Sequence, residues 1–301
     1  MHLRKDPCGI ICIFITYAAV FYADYVVCRW IVLTVFDGSL WGCFHIILFN
    51  IIITFLTMAH LRAVLSDPGI VPLPQTRVDF SDYHDNVEQQ KSFLGPGSND
   101  GGGPPGSESE HGTWTVCTRC EAYRPPRAHH CRICKRCVRR MDHHCPWINN
   151  CVGEFNQKYF MQFLFYVGVL SMYSMALIVY CWVNSTDDLK ICLHCPKEDL
   201  LTKQSRILHT VILMLESMLF GLFVLAIMID QISAIFSDET AIEQAKKLGR
   251  HRVRKQPKMF LMEEVCGKGS FIYWFIPCRS DAHTRHIASS SNYKYGNRLD
   301  V

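Results

Sequence analysis

The chain has 301 residues, 49% of them hydrophobic and only 19% charged, with a formal net charge of +4. A soluble domain of this length carries more charge, spread through amphipathic patterns, so the composition argues against one. The small net charge gives no support for a nucleic-acid partner.

The apolar residues gather into four blocks of the length that spans a hydrocarbon core, roughly 20 residues. The first lies within Cys8–Phe36 and carries Asp24 and Arg29, which are placed near the lumenal interface where Arg can snorkel. It lacks a small-residue cleavage site, so no cleavable signal peptide is expected. The second, Trp41–Met58, and the third, Tyr159–Val183, contain no Asp, Glu, Lys or Arg. The fourth, Thr210–Ile229, holds Glu216 about two turns from its lumenal end. Intramembrane acids are functional candidates by default, but its distance from the cytosolic segments favours a packing or interfacial role.

Lys and Arg concentrate in 61–158 and after residue 235, where Lys246, Lys247, Arg250, Arg252, Arg254, Lys255 and Lys258 cluster. By the positive-inside rule both termini face the cytosol. The expected fold class is an all-α membrane protein: four transmembrane helices with a small cytosolic zinc-binding domain between the second and third. The divisions are 1–60 (helices 1 and 2), 61–113 (a cytosolic segment and linker), 114–158 (the cysteine-rich domain), 159–235 (helices 3 and 4 with a lumenal loop) and 236–301 (a cytosolic tail). Within the linker, Ser92–Gly112 is too rich in Gly, Pro and Ser to order itself.

Of the 16 cysteines, seven fall between Cys117 and Cys151 among four histidines. A secreted disulfide scaffold has no need of those histidines; Cys and His at short regular gaps read as metal binding in a reducing compartment. The segment repeats at an offset of 14. Cys117, Cys120, His130 and Cys137 form one set, and Cys131, Cys134, His144 and Cys151 form the next. Each is Cys-x2-Cys-x9-His-x6-Cys, a Cys3His complement for tetrahedral zinc. Two zinc ions use eight donors and leave Cys145, whose would-be partner in a CxxC pair is Ile148. Beside it stand Asp142 and His143. Cys–His pairing with a carboxylate that fixes the imidazole is an arrangement for covalent catalysis, with Cys145 as nucleophile, His143 as base and Asp142 as orienting group. The bland alternative is an ordinary zinc knuckle in which Cys145 replaces another ligand.

These residues resemble the DHHC family of protein S-acyltransferases, the palmitoyltransferases. Asp142-His143-His144-Cys145 matches the signature tetrad, and Pro146-Trp147 its usual extension. The spacing from Cys117 to Cys151, the stretch Asn149-Asn150-Cys151-Val152-Gly153 and Asp67-Pro68-Gly69 match as well. The resemblance implies that Cys145 takes an acyl group from a long-chain acyl-CoA such as palmitoyl-CoA and passes it to cysteines of membrane-associated proteins. It also implies an acyl chain lodged among four helices in the bilayer, two structural zinc ions, and Trp147 at the acyl-CoA. Thr240-Ala241-Ile242-Glu243 aligns with the family's TTxE motif but has Ala241 for the second threonine, which puts a hydroxyl contact to Asp142 and His143 in question. The aromatic motif of the family's tail is only loosely matched around Phe260–Trp274. Ser237-Asp238-Glu239-Thr240 and the 151–160 stretch resemble the Golgi-resident subgroup.

Cys192 and Cys195, with His194, suit a metal, a small disulfide loop or two free thiols. Asn184-Ser185-Thr186 is a glycosylation sequon set against the membrane. The basic tail cluster suits acidic head groups, the phosphates of CoA or plain solvation. Leu299-Asp300-Val301 suits a carboxylate-capturing module of PDZ type. Two rival classes, a membrane-anchored zinc adaptor of RING type and a transporter, explain neither the leftover cysteine nor the small number of spans.

Overall fold

The computed structural model describes residues 6–36, 38–74, 115–185, 200–245 and 256–277. The Ser92–Gly112 linker, the Cys192/Cys195 pair, Thr186 of the sequon, the basic cluster up to Lys255 and the C-terminal tripeptide lie outside them.

Four helices among the described residues are long and apolar enough to cross a membrane. The first span is composite. Helix α1 (Pro7–Val26) passes through a π-helical turn (Val27–Val32) into the short α2 (Leu33–Val35). Its start is set by Asp6, whose carboxylate accepts from the Cys8 N–H at 3.2 Å, and by Pro7 in the first turn, where a missing N–H costs nothing. Helix α3 (Leu40–Leu65) is capped by Ser39 and ends just before Asp67-Pro68, where proline disfavours helical backbone in its predecessor. Helices α4 (Gln157–Ser185) and α5 (Leu200–Ser237) complete the bundle, with α4 packed against both α3 and α5.

The fourth span differs most from its expected limits. Hydropathy marks Thr210–Ile229, but the helix runs from Leu200 to Ser237 because the polar flanks carry the same helical hydrogen-bonding outward. Lys203, Gln204 and Arg206 lie on this extension. Asp24 in the first span accepts hydrogen bonds from Asn50 and the Cys28 thiol, at 3.2 and 3.4 Å. Arg29 lies over the Trp30 ring.

Between α3 and α4 lie three antiparallel hairpins: β1 (Thr115–Cys117) with β2 (Ala122–Arg124), β3 (His129–Cys131) with β4 (Arg136–Val138), and β5 (His143–Cys145) with β6 (Asn150–Val152). Cys117 faces Ala122, Cys131 faces Arg136 and Cys145 faces Asn150, so every pair recurs 14 residues on. Glu121, Lys135 and Asn149 all take positive φ (47°, 52° and 46°) at the equivalent turn position. The repeat visible twice as metal ligands is therefore three copies of one knuckle in the backbone.

The segment after α3 fixes this module to the bundle. Asp67 accepts from the N–H groups of Gly69 and Ile70, and Arg139 and Val71 then pair with Gly69 and Cys137 across the backbone. Gly153 passes so close to the Pro68 carbonyl that a Cβ there would collide with it. Asn150 donates to the carbonyls of Ala63, Val64 and Ser66, satisfying acceptors that the end of α3 leaves open. Cys145, Ile148 and Val152 join the helices in one apolar core, while Phe14, Phe21, Leu219 and Leu222 face outward, as a lipid-facing surface requires.

Short helices α6 (Ala241–Ala245), α7 (Lys258–Cys266) and α8 (Ile272–Phe275) follow. Lys158, Gln162 and Tyr166 on α4 donate to carbonyls of Tyr273, Trp274, Phe275 and Ile276, which holds the aromatic tail against the bundle.

Candidate functional site

Both ligand sets expected from the spacing are assembled. In Cys117, Cys120, His130 and Cys137, and again in Cys131, Cys134, His144 and Cys151, the donor atoms lie within 4.8 Å of one another. His130 Nδ1 is 3.6, 3.2 and 3.9 Å from the sulfurs of Cys117, Cys120 and Cys137. His144 Nδ1 is 3.7, 3.4 and 3.6 Å from those of Cys131, Cys134 and Cys151. A tetrahedron with ~2.3 Å metal–sulfur bonds has edges of roughly 3.8 Å, so both clusters could hold zinc. The second cluster has an outer partner that its spacing does not reveal: His144 Nε2 meets Asp6 Oδ2 at 3.4 Å, a carboxylate–histidine contact of the kind that orients metal ligands.

The third knuckle has no such set. Cys145 occupies the position of Cys117 and Cys131, but Ile148 stands where Cys120 and Cys134 stand, and it is fully buried. The turn Pro146–Ile148 is held from the helices: His60 Nε2 meets the Trp147 carbonyl at 3.0 Å, and Tyr17 hydroxyl meets His60 Nδ1 at 3.0 Å.

Asp142, only 3% exposed, is the centre of a dense array. Its Oδ2 lies 2.7 Å from His143 Nδ1 and accepts from Gln231 Nε2 at 2.7 Å; its Oδ1 accepts from the Ala241 N–H at 2.7 Å. Burial alone would push this carboxyl upward, but the three donors and the His143 charge hold it below its ordinary range. Burial likewise works against His143 charging, yet Asp142 and the neighbouring Cys145 sulfur raise it to about 9. A thiol beside an imidazole that a carboxylate orients is equipped for nucleophilic attack.

The Ala241 substitution is resolved by the backbone. Thr240 and Glu243 form a capping box: Glu243 Oε2 accepts from the Thr240 N–H at 2.8 Å, and Thr240 Oγ1 accepts from the Glu243 N–H. That turn aims the next N–H, on Ala241, at Asp142, so the contact needs no hydroxyl. Glu243 also takes a forked pair from Arg127 at 2.8 and 3.0 Å, and Arg127 bonds Asp238 at 2.9 Å. These pairs hold the Arg127 guanidinium charged despite its burial, and Glu243 well below its ordinary range despite its own.

Cys145 opens onto a cavity between the helices. Its walls are apolar, with Val20, Leu56, Leu164, Val167, Phe220 and Val224 among them, and Trp147 lies at the same end as Cys145. Ser171, Ser174, Glu216 and Ser217 line the far end. Glu216 thus faces the cavity, not a packing or interfacial environment as its sequence position suggested; the register of α5 turns it inward. From Phe160 to Ser174 the α4 wall descends about 21 Å at 1.5 Å per residue, matching an extended chain of palmitoyl length.

Residues 115–152 form a compact module with two Cys3His clusters, set between the second and third of four membrane-length helices. The chain belongs to the DHHC palmitoyltransferase family, whose profile matches residues 110–248. It is 33% identical to palmitoyltransferase ZDHHC3 of Homo sapiens over 92% of this chain and 83% of that protein. Palmitoyltransferase ZDHHC7 of Mus musculus is 32% identical over 80% of this chain and 70% of its own. Probable protein S-acyltransferase 12 of Arabidopsis thaliana is 27% identical over 85% and 80%.

Gln231 and His60 were not singled out from the sequence. Each is one polar residue within or beside an apolar helical run, and no spacing links it to the residue it serves.

Proposed function

We propose that this protein is a protein S-acyltransferase that works through a Cys145 thioester. The carrying observation is the uncoordinated third knuckle. It leaves one buried sulfur beside His143 and Asp142, at the mouth of an apolar cavity of acyl-chain length.

The acyl chain of palmitoyl-CoA, or of a similar long-chain acyl-CoA, lies in the cavity and brings its carbonyl to Cys145 past Trp147. Burying each CH₂ away from water is worth ~0.8 kcal/mol, which is what selects a long chain. With its proton held by His143, the Cys145 sulfur attacks the carbonyl carbon. The sulfur–acyl bond forms, the bond to the CoA sulfur breaks, and His143 returns the proton to the departing thiol. Asp142, held by Gln231 and Ala241, fixes the imidazole tautomer. A cysteine thiol of a membrane-associated protein then repeats the exchange and frees Cys145.

Two zinc ions, held by Cys117, Cys120, His130 and Cys137 and by Cys131, Cys134, His144 and Cys151, supply rigidity to the loops that present the tetrad. Both termini and the metal module face the cytosol, a reading that the Lys and Arg distribution supports, and the Ser237–Thr240 likeness supports a Golgi membrane. Brief incubation of the purified protein with palmitoyl-CoA is expected to place a hydroxylamine-labile acyl group on Cys145, absent from Cys145→Ser. Equal labelling of that variant would place the nucleophile elsewhere.

A further inference from the structure

The first turns of α1 carry two thiols that play no part in metal binding or in the chemistry assigned above. Cys8 is exposed and Cys12 partly so. They stand one helical turn apart, on one face of the helix. The next turn along the same face reaches Thr16, whose hydroxyl donates to the Cys12 carbonyl at 2.9 Å and which lines the cavity that contains Cys145. Cys12 therefore stands one turn above the cavity wall, on its cytosolic side. Thr16 and Cys145 line the same cavity, and α1 packs on the turn that follows Cys145.

This placement is held from three directions. Asp6 bridges the start of the helix to His144, accepting from the Cys8 N–H at the same time. Gly9, between the two thiols, presses so closely on Asn149 that a Cβ would collide with its side chain. The helix as a whole packs on the turn Pro146–Ile148 that follows Cys145. The end of α1 thus forms one unit with the reactive hairpin, and its thiols are held near Cys145 without any docking partner. That removes the entropic cost that a separate acceptor pays to reach the same position.

We propose that Cys12 is an acyl acceptor in cis, so that the enzyme acylates the cytosolic end of its own first helix. The inference rests on the reading of Cys145 as the acyl carrier. The Cys12 sulfur bonds to the acyl carbon, the Cys145 sulfur–carbon bond breaks, and the Cys12 proton ends on the Cys145 thiol. One thioester replaces another, so no oxidant or further co-reactant is needed. Once on Cys12 the chain can lie along the outer face of α1, where Ile11, Phe14 and Ile15 are exposed. Cys145 and its cavity are then free for another acyl-CoA.

The test uses the full-length protein in lipid nanodiscs with deuterated palmitoyl-CoA, followed by mass-spectrometric mapping of acyl-cysteines over time. Cys145 is expected to load first and Cys12 later, approaching two acyl groups per chain. The appearance of label on Cys12 should be independent of protein concentration. Cys12→Ala should load Cys145 at the wild-type rate and stop at one, and Cys145→Ser should label neither position. Cys145 loaded beside a Cys12 that stays bare overturns this inference alone. So does Cys12 labelled in Cys145→Ser, which would mean direct reaction with acyl-CoA. A chain that never loads Cys145 overturns the catalytic reading and this inference together.

Discussion

At the scale of single residues, the site depends on how one carboxylate is held. Asp142 is buried, and an ionised carboxylate there is tolerable only because all its strong partners point at it. Gln231 serves this carboxylate alone: its Nε2 donates to Asp142, and its Oε1 is buried without a hydrogen-bond partner. Hydrogen bonds to charged groups are worth about 1.5–3 kcal/mol, or roughly 10- to 100-fold in rate if the loss falls on the reaction step. Gln231→Leu is therefore expected to slow Cys145 acylation by about that factor with both metal clusters intact, and Gln231→Glu to slow it more through like-charge repulsion. Single-turnover acylation with metal counting checks this; an unchanged rate in both variants would remove Gln231 from the account. None of this was legible in the sequence, where Asp230-Gln231 near the end of an apolar run looks like a helix boundary. The tetrad itself was legible, because neighbouring residues advertise their own chemistry.

At the scale of elements, the three hairpins explain why the metal repeat and the leftover cysteine belong together. The ligand pattern shows two copies, and only backbone register and the recurrent left-handed turns at Glu121, Lys135 and Asn149 show the third. The sequence hides that copy because it keeps the shape while losing Cys at 148; shape is carried by turn geometry, which many residues satisfy. The same module is tied to the end of α5 by Arg127, whose partners Asp238 and Glu243 are nearly buried. Removing one member of such a group leaves the others charged and unpaired, at a cost of about 3 kcal/mol or more. Arg127→Met should lower the unfolding temperature in nanodiscs and slow acylation together, since Ala241 and its N–H sit on the same turn. A variant as stable and as fast as wild type would show that this tie does not position Asp142.

At the scale of the whole molecule, the four spans and their order were readable because bilayer thickness imposes a minimum apolar length that a helix cannot evade. The cavity was not readable. Its walls come from all four membrane-length helices at once, and which face of each helix turns inward depends on packing that no single periodicity encodes. Glu216 shows this: it stands in a run with no other charge, yet it lines the same cavity as Cys145. The cavity also makes a size prediction. Ser174 is almost fully buried at the far end, so Ser174→Phe should fill the last turns of depth and move acceptance toward shorter chains. Competition between myristoyl-CoA and palmitoyl-CoA reads this directly. An unaltered ratio would mean that the acyl chain lies elsewhere.

The account's central claim is that Cys145 binds no metal while eight other residues hold two zinc ions. X-ray absorption at the zinc edge, on wild type and on Cys145→Ser, tests it most directly. The account predicts two zinc ions per chain, an average shell of three sulfurs and one nitrogen, and no difference between the two proteins. A lost ion, or a sulfur missing from the shell of the variant, would contradict it.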